Sequence, residues 1–212
     1  MKKTLLILSA IVLFFAGCKK DTLFEGGEVL YSGSINGYKY INLGLPSGLK
    51  WATCNVGASS PEGYGDYYAW GETETKSRYT SDNCSTYGVQ MNDISGNAQY
   101  DIARKKWGGS WRMPTKTEIE ELIDNCTWRW TTQNGVKGYN VTGPNGNSIF
   151  FPAAGYRYGS SLYDAGEDGY YWSSTPYESS SYYAYYLRFF SGNQNVDWFG
   201  RYKGRSVRPV AE

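Results

Sequence analysis

The side chains that could do chemistry in this sequence are cysteines, carboxylates and a dense run of aromatics, and there is no histidine among its 212 residues. Without histidine the commonest general base, the Ser-His and Cys-His nucleophile pairs and the commonest metal ligand are all missing. Cys54, Cys84 and Cys126 stand too far apart for a CxxC metal or redox motif, so one disulfide or buried thiols is the expectation. Glu62, Asp66, Glu72, Glu74, Asp164, Glu167 and Asp168 could form a glycosidase pair only if the fold brought two of them to a working separation. Solvated loop carboxylates are the simpler reading. No Asp-x-Asp-x-Asp-Gly calcium loop occurs, and the Gly63-Tyr64-Gly65 and Gly108-Gly109 stretches lack phosphate-loop spacing. The expectation is no catalytic residue, no metal site and no cofactor.

Aromatic residues are more informative, with 21 Tyr and 8 Trp in the chain and many of them crowded between Gly169 and Arg208. Read as a strand, 182–190 alternates Tyr183, Tyr185, Leu187 and Phe189 against Tyr182, Ala184, Tyr186, Arg188 and Phe190. One face serves as core. The other, continued by Asn193, Asn195, Asp197, Trp198, Phe199 and Tyr202, is expected to present rings at the surface, where Tyr and Trp offer wide contact area at low rotamer cost. Burial of both faces is the competing reading, since a β-rich core uses the same residues.

These side chains must be positioned by short strands. Strand signals fall at 38–43, 48–55, 127–132, 138–141, 148–151, 170–173, 183–190 and 206–210, with Asn134-Gly135 and Asn145-Gly146 as turn dipeptides. Two helices are expected. One runs from a Thr115/Glu118 capping box through Ile119, Leu122 and Ile123 to about Asn125, and the other covers 100–107 and stops at Gly108-Gly109. The fold class is α+β.

At the N-terminus, Met1-Lys2-Lys3 followed by an apolar stretch from Leu5 to Phe15 has the form of a signal peptide. It is shorter than the roughly 20 apolar residues that span a bilayer. Ala16-Gly17-Cys18 closing the stretch resembles a bacterial lipobox, so residues 1–17 are expected to be cleaved and Cys18 to carry the lipid. Residues 18–35 then form a linker and 36–212 one domain. The localisation implied is the outer membrane, lipid-anchored and facing the exterior. With 21 basic and 20 acidic residues, nothing in the overall charge draws nucleic acid.

The strings LGLPSGLKWATCNVG (43–57), WGGSWRMPT (107–115), FPAAGYR (151–157), YWSS (171–174) and SVRPV (206–210) resemble the Fibrobacter succinogenes major paralogous domain. That resemblance covers nearly all of the expected mature chain and implies a C-type-lectin-like fold of the formylglycine-generating-enzyme type. In that fold the terminal strands pair, two helices pack on a small twisted sheet, and long irregular loops carry the binding surface. The oxidase chemistry of the formylglycine-generating enzymes uses thiols near the C-terminal region, and no Cys follows Cys126.

The chain is also similar to the variable proteins of diversity-generating retroelements, in which adenine-rich Asn codons are mutated between fixed positions. On that similarity the fixed frame is Ala184, Leu187, Phe189, Arg201, Gly204 and 206–210. The substitutable positions are Tyr182, Tyr183, Tyr186, Arg188, Phe190, Asn193, Asn195, Asp197, Phe199, Gly200 and Tyr202. Trp198 and Lys203 depart from it, because adenine-only mutation of an Asn codon yields neither. The expected ligand-binding set is therefore Tyr182, Tyr183, Tyr186, Arg188, Phe190, Asn193, Asn195, Asp197, Trp198, Phe199 and Tyr202. Its expected partner is a protein or glycan, held by a monomeric surface-displayed module. The alternatives are a structural or fimbria-associated subunit, a glycan-capturing accessory lipoprotein, or a carboxylate-dependent enzyme.

Overall fold

Alternation and turn chemistry divide the chain into twelve short strands and two helices, seen in a computed structural model that describes residues 31–212. The signal segment and the lipidation site Cys18 lie outside the described residues. Strands β1 (Gly33–Ile35), β2 (Tyr38–Asn42) and β3 (Lys50–Ala52) pair antiparallel, and β12 (Val210–Ala211) joins the free side of β3. Asn36 and Gly37 both take positive φ, the geometry of a tight hairpin. Residues 33–35, assigned above to the linker, are thus already part of the fold. The terminal strands share this sheet but occupy its opposite edges, a correction to direct pairing.

Helix α1 (Ile102–Trp107) begins where Asp101 Oδ1 accepts from the amides of Ala103 and Arg104 at 2.9 and 3.1 Å. It stops at Gly108, whose φ of 63° favours glycine. Helix α2 (Lys116–Asn125) carries the expected Thr115/Glu118 capping box and buries Ile119 and Leu122. A second sheet follows, β4 (Thr127–Gln133), β5 (Val136–Thr142) and β6 (Ser148–Pro152), with Asn134-Gly135 as its first hairpin turn. Strands β7 (Tyr156–Tyr158) and β8 (Ser161–Tyr163) make a small ribbon. The last sheet orders β11 (Asn193–Gly200), β10 (Tyr183–Phe190) and β9 (Asp168–Pro176).

Two apolar clusters meet at β10. Leu187 and Phe189 enter one with Leu43, Trp51, Phe151 and Tyr171. Ala184 and Tyr186 enter the other with Trp70, Trp111 and Trp172. A central strand flanked on both sides has two faces to cover, and here both are covered along most of its length. The expectation of one open face is corrected accordingly: Tyr186 is buried, and so is Ala184.

Other differences have local causes. The 48–55 segment is a ladder only over Lys50–Ala52. Within 206–210 only Val210 enters a strand, because Ser206 makes a single bridge to Tyr171. Strand β11 was not expected, since its Asn193, Asn195 and Asp197 are poor strand formers. It forms because the turn at Ser191-Gly192 lays it along all of β10, from Phe190 opposite Asn193 to Tyr183 opposite Gly200. Cys54, Cys84 and Cys126 are free thiols.

Candidate functional site

The register of the last sheet decides which side chains share a face. Tyr186 lies opposite Trp172 on one side and Asp197 on the other, Arg188 opposite Tyr170 and Asn195, and Ala184 opposite Phe199. Directly opposed residues in an antiparallel ladder project the same way. Tyr170, Tyr186, Arg188, Asp197 and Phe199 are therefore neighbours.

Beyond β11 the chain doubles back over this face. Gly204 and Arg205 bridge to Arg157 and Tyr68. The return is tight at Gly204, where a Cβ would lie 2.8 Å from the Tyr79 ring. This path carries Lys203 and Arg205 onto the sheet. Between them, Tyr156, Tyr170, Tyr186, Arg188, Asp197 and Phe199 remains a cavity of about 290 Å³.

Its electrostatics are lopsided. Arg188 is paired with Asp168 at 3.1 Å, and that carboxylate also accepts from the Tyr170 hydroxyl. Asp197 accepts from the Tyr186 hydroxyl at 3.2 Å and from the Trp198 amide at 2.8 Å. Arg205, 3% exposed, lies with its Cζ 3.3 Å from the Tyr186 ring centre and 4.2 Å from that of Trp172. Its buried Nε and Nη1 have no hydrogen-bond partner. Lys203 Nζ sits 3.4 Å from the centre of the Tyr158 ring and 5.1 Å from that of Tyr156. No acid lies within ion-pair distance of either residue among the described residues. Burial, then the nearby Arg205 charge, lowers the Lys203 ammonium to about 8. Burial also lowers Arg205, although a guanidinium stays protonated at neutral pH. Burial first and Asp164 second push the Tyr170 hydroxyl well above its usual range, leaving it a neutral donor.

Of the residues singled out from sequence, Tyr186, Arg188, Asp197 and Phe199 line the cavity. Phe190, Asn193 and Asn195 continue the same face along the sheet. Tyr182 and Tyr202 gather instead around Tyr87, at 4.8 and 5.3 Å between ring centres. Tyr183 and Trp198 belong to the opposite face, where Trp198 stacks on Tyr177 at 4.5 Å. Tyr182, Trp198 and Phe199 are each more than 40% exposed, so rings do reach the surface, on two faces rather than one. Sequence reasoning missed Tyr156, Tyr170 and Arg205, and noted Lys203 only as a departure. The signal available was the Lys203-x-Arg205 alternation inside an aromatic run.

The carboxylates considered for catalysis are dispersed among partners. Glu62 accepts from Gln133 and Asn134, Asp66 from Tyr68 and Lys106, and Glu72 from Ser85. Asp164 and Asp168 approach a common group, the Tyr170 hydroxyl, at 2.9 and 3.1 Å. Among the described residues no three His, Cys, Asp or Glu side chains gather as metal ligands would.

A family model described as the Lcl C-terminal domain matches residues 45–211, which takes in both helices and every strand except β1 and β2. No curated protein and no solved structure matches the chain.

Proposed function

The chain belongs to the Lcl C-terminal domain family, a domain tied to variable proteins like those of diversity-generating retroelements, and from this membership we propose a non-enzymatic ligand-binding module acting at the cell surface as a receptor or adhesin. The observation that carries the reading is the cavity on the β9-β10-β11 face. It joins four aromatic rings to Lys203 and Arg205, neither of which has an ion-pair partner among the described residues, and Arg205 leaves two buried nitrogens without an acceptor there. A face whose only task was packing gains nothing from a buried guanidinium without an acceptor, because burial without a hydrogen bond costs free energy.

Within this reading, Phe199 forms the rim of the cavity and Tyr186, Arg188 and Asp197 its floor, while Tyr182 and Tyr202 beside Tyr87, and Trp198 on the opposite face, are further contact positions outside it. Tyr183, Phe190, Asn193 and Asn195 complete the surface available to change. A framework of buried residues, Ala184, Leu187, Phe189, Arg201 and Arg208, supports that surface while the rim varies. The arrangement of small antiparallel sheets, two helices and long loops supports a C-type-lectin-like fold and kinship with the Fibrobacter major paralogous domain. A lipid on Cys18 would hold the domain, as a monomer, on the outer membrane.

The test is capture of ligands on glycan and protein arrays by the full chain and by Phe199→Ala and Tyr182→Ala variants. Both rings are exposed, so the variants should melt within about 2 °C of the parent. The expected result is that captured species are lost with Phe199→Ala. Capture unaffected by either variant would place ligand binding elsewhere or nowhere, and would end this reading.

A further inference from the structure

Resting on that reading, we propose that the cavity takes a six-membered ring bearing a single carboxylate, held by Arg205 and Lys203. The chain supplies its other buried arginines with acceptors. Arg208 donates through Nε to Asn55 Oδ1 at 2.8 Å, and its Nη1 and Nη2 reach the carbonyls of Ala52, Thr53 and Phe150. Arg201 donates to the carbonyls of Tyr183, Thr86 and Val89. Arg205 alone of the three leaves two buried nitrogens without an acceptor, and it lines a cavity. Its Cζ lies against the Tyr186 and Trp172 rings, and those contacts leave Nε and Nη1 without an acceptor.

The charge of the missing group follows from the lining. Arg188 is neutralised by Asp168, while Arg205 and Lys203 face a single lining acid, Asp197. The balance left over is one positive charge, which a monoanion matches and a dianion exceeds. A planar carboxylate matches the forked donors of a guanidinium, and Lys203 adds a point charge beside it.

The size of the remainder follows from the walls. About 290 Å³ lies at the small end of ligand cavities and admits one ring rather than a chain of them. Tyr156, Tyr170 and Phe199 line the space such a ring would occupy. Asp197, with two of its acceptor positions already used, keeps others for a ring hydroxyl. A pyranose acid and an aromatic acid share this chemistry, and the probes below separate them.

The experiment is isothermal titration of the full chain at pH 7 with galacturonate, benzoate, their neutral counterparts galactose and benzamide, and sodium sulfate. Parent, Lys203→Met and Arg205→Met proteins are compared, with melting temperatures recorded for each. The expected result is saturable binding of a carboxylate, weakened about tenfold or more in each variant and in the neutral counterpart. Binding of galacturonate with little benzoate binding identifies the ring as a sugar, and the reverse identifies it as aromatic. Equal binding of galactose and galacturonate, equal binding of sulfate, or no binding of either carboxylate overturns the proposal. If Arg205→Met proves unfolded, Lys203→Met decides alone, since that side chain lies against rings and holds no hydrogen bond. Array capture that depends on Phe199 but shows no carboxylate requirement would sink this inference and leave the broader reading standing. Loss of both would sink both.

Discussion

Only two residues separate Arg205 from Arg208, and both are buried, to 3% and 1% exposure, yet their surroundings have little in common. Around Arg208 the chain supplies acceptors from three directions, one side-chain amide and three carbonyls, and the Phe151 ring 4.5 Å from Cζ. Around Arg205 it supplies rings and empty space. The first arrangement ties together segments distant in sequence and is closed to anything new. The second holds a charge in place and leaves its donors idle. The contrast separates a region organised to fold from a region organised to meet something, although the two share residue types and a stretch of chain.

The largest test of that contrast is Arg208→Met. It leaves Asn55 Oδ1 and the carbonyls of Ala52, Thr53 and Phe150 buried without their donor, at about 1 to 3 kcal/mol for each group that finds no substitute. The expected outcome in urea unfolding is a loss large enough to compromise the fold. Next comes a pair of phenylalanines. Phe189→Ala empties a fully buried site against Trp128, Tyr139, Phe151 and Tyr171 and should cost about 3 to 5 kcal/mol, whereas Phe199→Ala at the mouth should cost under about 1 kcal/mol. Equal losses would erase the distinction between the two regions.

Arg205→Met should move stability in the other direction. Replacing an unpartnered buried charge with an apolar side chain of similar size is neutral or stabilising by about 1 to 4 kcal/mol. A protein made more stable and less able to bind would show the trade expected of a functional site. A further test is pH dependence at Lys203. Its ammonium titrates near 8 in the folded protein against about 10.4 when unfolded, so between those values the unfolded chain holds a proton that the folded one has lost. Stability should therefore rise from pH 8 to 10, and Lys203→Met should flatten that rise. Above pH 10 buried tyrosines such as Tyr67 and Tyr170, whose hydroxyls burial pushes upward, reverse the trend. Anion binding should weaken over the same window in which stability grows, a divergence that titration at pH 7 and 9.5 would detect.

Local chemistry was readable from the residues alone. Thr115 with Glu118 and Asn134 with Gly135 each act within four residues, so cap and turn follow directly from sequence. The alternation in β10 was equally readable, and it sorted Tyr186 and Arg188 onto one side and Leu187 and Phe189 onto the other. Whether that side met water was not, because the answer depends on where Lys203 and Arg205 travel after β11. Their path is fixed by single bridges from Gly204 to Arg157 and from Arg205 to Tyr68, which leave no periodic trace. Two more walls of the cavity, Tyr156 and Tyr170, likewise come from outside the segment that alternation could interpret.

One consequence of the first sheet concerns the order of events during synthesis. Strand β12 completes that sheet by pairing Val210 with Trp51, and Arg208 reaches Thr53 across 155 residues. Contacts of such separation form late and slow folding, since the loop must close before it is rewarded. A ribosome that has delivered everything up to β11 has made a chain whose Trp51 edge is still unpaired and whose Asn55 still lacks its guanidinium. The fold is therefore locked by residues that emerge after the aromatic segment, and a nonsense or frameshift change anywhere in that segment would yield a chain that quality control can discard.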